Sequence, residues 1–258
     1  MRLLSIDWDY FFPTKENMAT SESIRPWDWG HDEKWGVGLG EALWLIRASD
    51  FYRESGLPLP ETSGEELTFW DHVAIEPSAV IYVSESHSQA ASYRVIEGVT
   101  EVVNYDAHHD GGYEDDALES IIKTQQVDCS NWTYAFGRVP IETRYPAWRE
   151  HNPESLNPTI PLQMTREIWQ PDQTDTRPFD RVFICRSGSW TPSWLDAKFS
   201  RFVYGNPLGK RPIKIGGLKR LRRKFNYKDV IKKADAEKKL ILGMYEGDAY
   251  AGCQQGHT

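Results

Sequence analysis

Residues 103–110 read Val-Asn-Tyr-Asp-Ala-His-His-Asp, so Asp106, His108 and Asp110 alternate directly after an apolar, β-branched run. In an extended backbone, positions i, i+2 and i+4 share one side. The spacing therefore predicts three oxygen and nitrogen donors leaving one strand end together, the disposition that holds a divalent cation. A second such stretch opens the chain: Leu3-Leu4-Ser5-Ile6-Asp7-Trp8-Asp9 is an apolar strand ending in two carboxylates. The two segments supply four carboxylates and an imidazole, and two divalent cations would neutralise that concentration of negative charge. His109, on the opposite side of an extended segment, is expected to be structural or to support a ligand.

The elements that must position these groups follow from the pattern of apolar runs. Buried strands are expected at Leu3–Trp8, Ala79–Val83, Val99–Tyr105 and Arg181–Cys185. Helices are expected at Glu41–Glu54, stopped by Gly56, and at Ser88–Glu97, Trp194–Phe202 and Lys228–Lys239. Residues 13–40 and the Pro- and Trp-rich stretch 140–178 read as irregular, the latter as a long excursion. Strands alternating with helices predict an α/β fold of three layers around a mainly parallel sheet. In such sheets ligands bind beyond the carboxyl ends of the strands. Asp7 and Asp9 follow the first strand, His87 the second, and Asp106 to Asp110 the third, so all six groups fall at that edge.

A length of 258 residues, 40% of them hydrophobic, supports one large α/β domain over residues 1–258 with a basic helical C-terminal segment. Cys129, Cys185 and Cys253 are scattered without a CxxC pair, which points to a reducing compartment and, with a carboxylate already at residue 7, to a cytoplasmic protein. No apolar run approaches the roughly 20 residues that span a bilayer, so no membrane partner is expected. The net charge is −8, yet Lys210–Lys239 carries thirteen Lys or Arg against Asp229, Asp235 and Glu237. That stretch could bind nucleic acid. Val230, Ile231, Ala234 and Leu240 at helical spacing favour instead an amphipathic helix with its lysines in solvent.

Three segments together resemble the arginase–ureohydrolase superfamily. Its Gly-Gly-Asp-His-Ser is similar to Ser84-Glu85-Ser86-His87-Ser88, and its Asp-Ala-His-x-Asp to Asp106-Ala107-His108-His109-Asp110. Its Ser-x-Asp-x-Asp-x-x-x-Pro resembles Ser5-Ile6-Asp7-Trp8-Asp9-Tyr10-Phe11-Phe12-Pro13. The double-Asp segment comes last in that superfamily and first here, as a circular permutation would give. A closer similarity is to an uncharacterised arginase-like family that begins with an Ile-Asp-x-Asp-x-Phe strand. The resemblance implies two cations, preferentially Mn²⁺. One would be held by His87, Asp106, Asp110 and Asp7, the other by His108, Asp106, Asp7 and Asp9. A water between them, acidified to hydroxide near neutral pH, would attack a guanidino or amide carbon of a small-molecule substrate while Asp110 orients its proton. The analogue of the superfamily's substrate loop is Asp128-Cys129-Ser130-Asn131-Trp132, which makes Asn131 a substrate contact and lacks the superfamily's proton-shuttling histidine.

Arg186-Ser187-Gly188-Ser189-Trp190-Thr191-Pro192-Ser193-Trp194 also follows a strand. Arg186 could receive a substrate carboxylate and Trp190 line the pocket; the alternative is a strand-to-helix turn capped by Thr191 or Ser193. Trp27, Asp28, Trp29 and His31 either wall the same pocket or pack a loop. Two rival functions compete with the hydrolase. Asp7 and Asp9 after an N-terminal strand are also how haloacid-dehalogenase-like, Mg²⁺-dependent phosphatases present nucleophile and acid. A metal-stabilised, non-enzymatic protein whose basic helix binds a partner or nucleic acid is the other.

Overall fold

A computed structural model describes residues 1–13, 36–150, 153, 157–188 and 190–239, with residues 36–43 described by their backbone alone. Trp27, Asp28, Trp29, His31, Leu240 and Cys253 lie outside the described residues. The chain forms two compact units, Met1–Lys34 with Glu61–Arg223, and Trp35–Pro60 with Lys224–Thr258.

The first unit is built on seven parallel strands: β1 (Arg2–Asp7), β2 (Val73–Ser84), β3 (Glu101–Tyr105), β4 (Ile141–Tyr145), β5 (Met164–Ile168), β6 (Asp175–Cys185) and β7 (Ile213–Lys214). Their order across the sheet is β5-β4-β3-β1-β6-β2-β7, every pair parallel. The α/β class read from the sequence is therefore the fold found.

Strand alternation sorts the core into two layers of side chains. Leu4, Ile6, Val103, Val182 and Ile184 pack with Phe199, Phe202 and Val203 of α4 (Asp196–Tyr204) on one face. Leu3, Val102, Phe183 and Cys185 pack on the other with Ala90, Trp132, Phe136 and Val95, the last from α2 (Tyr93–Ile96). Period-two alternation with both faces apolar is what burial between two layers demands. Ser5 and Asn104 break the pattern. They are paired in register on β1 and β3 and fully buried, as is Thr143 beside Asn104 on β4.

The chain leaves β1 toward β2 on one side of the sheet and leaves β3 toward β4 on the other. The adjacent carboxyl ends of β1 and β3 thus form a topological switch point, where α/β sheets open a crevice.

Three expectations are corrected. The stretch 140–178 is not an excursion: it contains β4, β5 and the start of β6. β5 (Met-Thr-Arg-Glu-Ile) is an edge strand with three exposed central residues, so backbone pairing to β4 defines it and no apolar run announces it. The helix expected at Ser88–Glu97 is a 3₁₀ turn, His87–Ala91, followed by the single turn of α2, with Ser92 extended between them. The helix α3 (Ala117–Thr124) was not foreseen.

In the second unit, α1 (Gly36–Ser55) begins five residues before the expected start. It ends as anticipated at Gly56, whose φ of +73° suits glycine and whose N–H donates to the Tyr52 carbonyl at 2.8 Å. Residues 227–239 form a further helix, with Val230 and Ala234 buried and Lys228, Lys232 and Lys238 exposed. Among the described residues no helix is long and apolar enough to cross a membrane.

Candidate metal centre

The donors converge at the switch point through turns and not, as the spacing suggested, through strand alternation. β1 ends at Asp7, whose Oδ1 accepts the Asp9 N–H at 3.1 Å and caps a 3₁₀ turn over Trp8–Phe11. β3 ends at Tyr105, and Asp106 Oδ1 accepts the His108 N–H at 2.8 Å. An aspartate that bonds an amide two residues on folds the chain over its own carboxylate. Each segment thus curls its second donor back toward its first. Ser86 performs the same service before His87, accepting the Ser88 N–H at 3.2 Å.

His87 is fully buried, its ring stacked between Trp132 (4.4 Å between centroids) and Phe183 (5.6 Å). Its Nδ1 lies 3.0 Å from Asp7 Oδ2, 3.2 Å from Asp106 Oδ2 and 3.3 Å from Asp110 Oδ2. His108 Nδ1 lies 2.8 Å from Asp9 Oδ2 and 3.8 Å from Asp106 Oδ1. The two oxygens of Asp106 therefore face two different imidazoles, an arrangement in which one carboxylate can serve two neighbouring sites. All six predicted ligands meet in this one place. Asp9, Asp106 and His108 form one trio of donor atoms within 4.8 Å of one another, and His87, Asp106 and Asp110 another.

Supporting contacts fix each donor. Ser5 Oγ sits 2.7 Å from His87 Nε2 and directs Nδ1 at the carboxylates. Asn104 Nδ2 donates to Asp106 Oδ2 at 3.1 Å, Ser187 Oγ to Asp7 Oδ2 at 2.9 Å, and Trp132 Nε1 to Asp110 Oδ2 at 2.6 Å. Asp110 and Ser187 both hold φ near +50°, a conformation that costs a non-glycine residue energy and collects at functional sites.

The charge balance fits cations. One imidazole nitrogen can donate a single hydrogen bond, yet three carboxylates crowd His87 Nδ1. Even with both imidazoles protonated, four buried carboxylates leave a surplus of negative charge that costs several kcal/mol per unpaired ion. The protein relieves it by shifting protons. Burial, then the neighbouring Asp9, push Asp7 up to about 6. Burial, then Asp110, Asp9 and Asp7, raise Asp106 well above the carboxylate range. Burial opposes charge on the imidazoles, but the carboxylates overcome it. Asp106, Asp110 and Asp7 raise His87 well above its usual value, and Asp9 brings His108 to about 10. Burial would raise Asp9, but His108 and then Arg149 hold it below its usual value. Buried acidic and imidazole groups at these separations can hold metal ions.

Of the residues expected to touch substrate, Trp190 lies at the site, its ring 4.9 Å from that of His108. His108 is also the most exposed of the six donors, its side chain 23% accessible. Asn131 is buried, and its Oδ1 accepts the Asp128 N–H at 2.8 Å. Arg186 receives protein carboxylates: its guanidinium, fully buried, pairs with Glu85 and lies 3.6 Å from Asp196. Thr191 bonds back to the Arg186 and Ser187 carbonyls and does not cap α4. His109 is buried, stacked on Tyr113, and accepts the Gly111 N–H, a structural role as expected.

Sequence reasoning missed Ser5, Asn104, Trp132, Ser187 and Arg149. Ser5, Trp132 and Ser187 stand in segments singled out above without a role of their own, and Ser5 and Asn104 also show as polar residues inside apolar strands. Arg149 Nε donates to the Ala107 carbonyl at 2.8 Å. Comparison of the chain with protein-family models, curated proteins and solved structures gives no match.

Proposed function

We propose that this chain is a hydrolase that uses two divalent cations, Mn²⁺ foremost, to open a non-peptide C–N bond in a small guanidino or amide compound. One observation carries the reading: Asp106 turns one oxygen to His87 and the other to His108, each imidazole backed by further carboxylates. The oxygen- and nitrogen-rich donor set suits Mn²⁺. His87, Asp7, Asp106 and Asp110 would hold the inner cation, and His108, Asp9 and Asp106 the outer. When bound, the cations acidify a water molecule and stabilise charge developing on the substrate.

The chain's own groups do the rest. Asp110, steadied by Trp132 Nε1, accepts a proton at its carboxylate. Trp190 and the accessible edge of His108 form the side from which substrate enters. The apolar bed of Trp132 and Phe183 around His87 excludes water behind the donors.

The test is elemental analysis of protein purified without chelator, joined to assays for urea or ammonia release from guanidino and amide compounds. Two equivalents of divalent metal and a release abolished by Asp106→Asn are expected. A folded protein that takes up no cation overturns the reading. So does Mg²⁺-dependent hydrolysis of phosphate monoesters that survives Asp106→Asn.

A further inference from the structure

The centre contains a group that its assigned donors do not use. Asp7 on β1 is in register with Cys185 on β6, which is in register with Ser84 on β2. In-register positions on parallel neighbours project side chains to one face, so the thiol stands beside the Asp7 carboxylate. His87 enters three residues after Ser84. Donor atoms of Asp7, His87 and Cys185 lie within 4.8 Å of one another, and all three residues are buried.

We propose that Cys185 is a sulfur donor to the inner cation, the one at His87, so that the two cation positions differ in kind. The inner position has mixed oxygen, nitrogen and sulfur donors; the outer, at His108, has oxygen and nitrogen alone. The proposal rests on the two-cation reading above and refines its metal identity.

The distances allow it. The donor atoms already lie within 4.8 Å of one another, and a cation with bonds of about 2.3 Å to sulfur and about 2.1 Å to oxygen would draw them closer together. The sulfur is also prepared for negative charge. The Ser187 N–H donates to Sγ at 3.2 Å, and an amide aimed at sulfur favours the thiolate, which is the ligating form. The opposing contact is the thiol's donation to the Glu85 carbonyl at 3.4 Å, at which its proton rests when no cation competes for the sulfur. Binding exchanges that proton for the cation. Ser187 touches both members of the pair, with its amide on Cys185 and its hydroxyl on Asp7. Thiolate softens a site, so the inner position should prefer Zn²⁺, Co²⁺ or Fe²⁺ while Mn²⁺ suits the outer.

Cobalt reads the two kinds of ligand separately. Full-length protein carrying Cys129→Ser and Cys253→Ser, so that Cys185 is its one thiol, is titrated with Co²⁺ under anaerobic conditions. Visible d–d bands report cobalt bound by any donor; an intense near-ultraviolet thiolate-to-cobalt charge-transfer band reports sulfur. The proposal expects that band with the first equivalent. It expects the band to vanish in Cys185→Ser, and in Cys185→Ala should the serine misfold, while the d–d bands persist. Visible bands without the near-ultraviolet band overturn the sulfur assignment and leave the two-cation reading standing. A folded protein that shows neither band overturns both.

Discussion

Ser5→Ala isolates the hydrogen bond that aims His87. Ser5 Oγ and His87 Nε2 are 2.7 Å apart in a place where both residues are fully buried. Removing a lone hydroxyl leaves almost no cavity, so the packing of Leu4 and Ile6 around it stays intact. What changes is the imidazole. Its Nε2–H loses its acceptor in a dry layer, which costs about 1–3 kcal/mol for an unsatisfied buried donor. With that bond gone, the ring is held only by its stacking on Trp132 and Phe183 and by the carboxylates at Nδ1, and Nε2 no longer has a partner that fixes its protonation. Loss of such an orienting partner typically lowers metal affinity by about 10–100-fold, about 1.4–2.7 kcal/mol. Metal affinity is measured by competition with a chromophoric chelator, and stability of the metal-free protein by urea unfolding. Both should fall. A folded Ser5→Ala protein that binds Mn²⁺ as tightly as the parent refutes the assignment of His87 as a ligand aimed by Ser5.

Asp106→Asn should trade function for stability: it removes a carboxylate that burial and three neighbouring aspartates disfavour. The metal-free protein should melt about 2–4 °C higher, as roughly 1 kcal/mol gives at this size, and adding Mn²⁺ should no longer raise the melting point. Loading the site with cations should release protons, because His87 and His108 hold theirs against the carboxylates. Affinity should therefore rise with pH from neutrality toward about 10, where His108 gives up its proton, and calorimetry in buffers of different ionisation enthalpy measures the release. Away from the centre, Arg2 pairs with the buried Asp175 through both carboxylate oxygens, and Arg144 adds a contact at 2.9 Å. Burial would raise Asp175, but Arg2 and then Arg144 hold it below the ordinary carboxylate range. A depressed folded value means its stabilisation is complete above the unfolded value, about 3.9, and fades as pH falls through the folded one. Asp175→Asn should cost about 3–5 kcal/mol at neutral pH, with the deficit shrinking in acid unfolding curves.

The sequence alone determined a good deal. Apolar runs at Leu3–Ile6, Ile81–Val83, Val102–Val103 and Val182–Ile184 read as strands buried on both faces, and the helical segments expected between the first three implied a parallel sheet. Given that sheet, the carboxyl-edge rule placed Asp7, Asp9, His87, Asp106, His108 and Asp110 on one side of it. Tertiary structure decided which strands are neighbours, and that lay beyond any local pattern. Cys185 and Ser187 reach Asp7 because β6 inserts between β1 and β2, a pairing across some 180 residues. Trp132 reaches Asp110 because residues 132–136 turn back beneath His87. β5 exists because β4 offers it hydrogen bonds, its own side chains being mostly in solvent. Ligand types and spacing are written in short stretches of chain, whereas the groups that orient them come from distant strands whose order long-range packing sets.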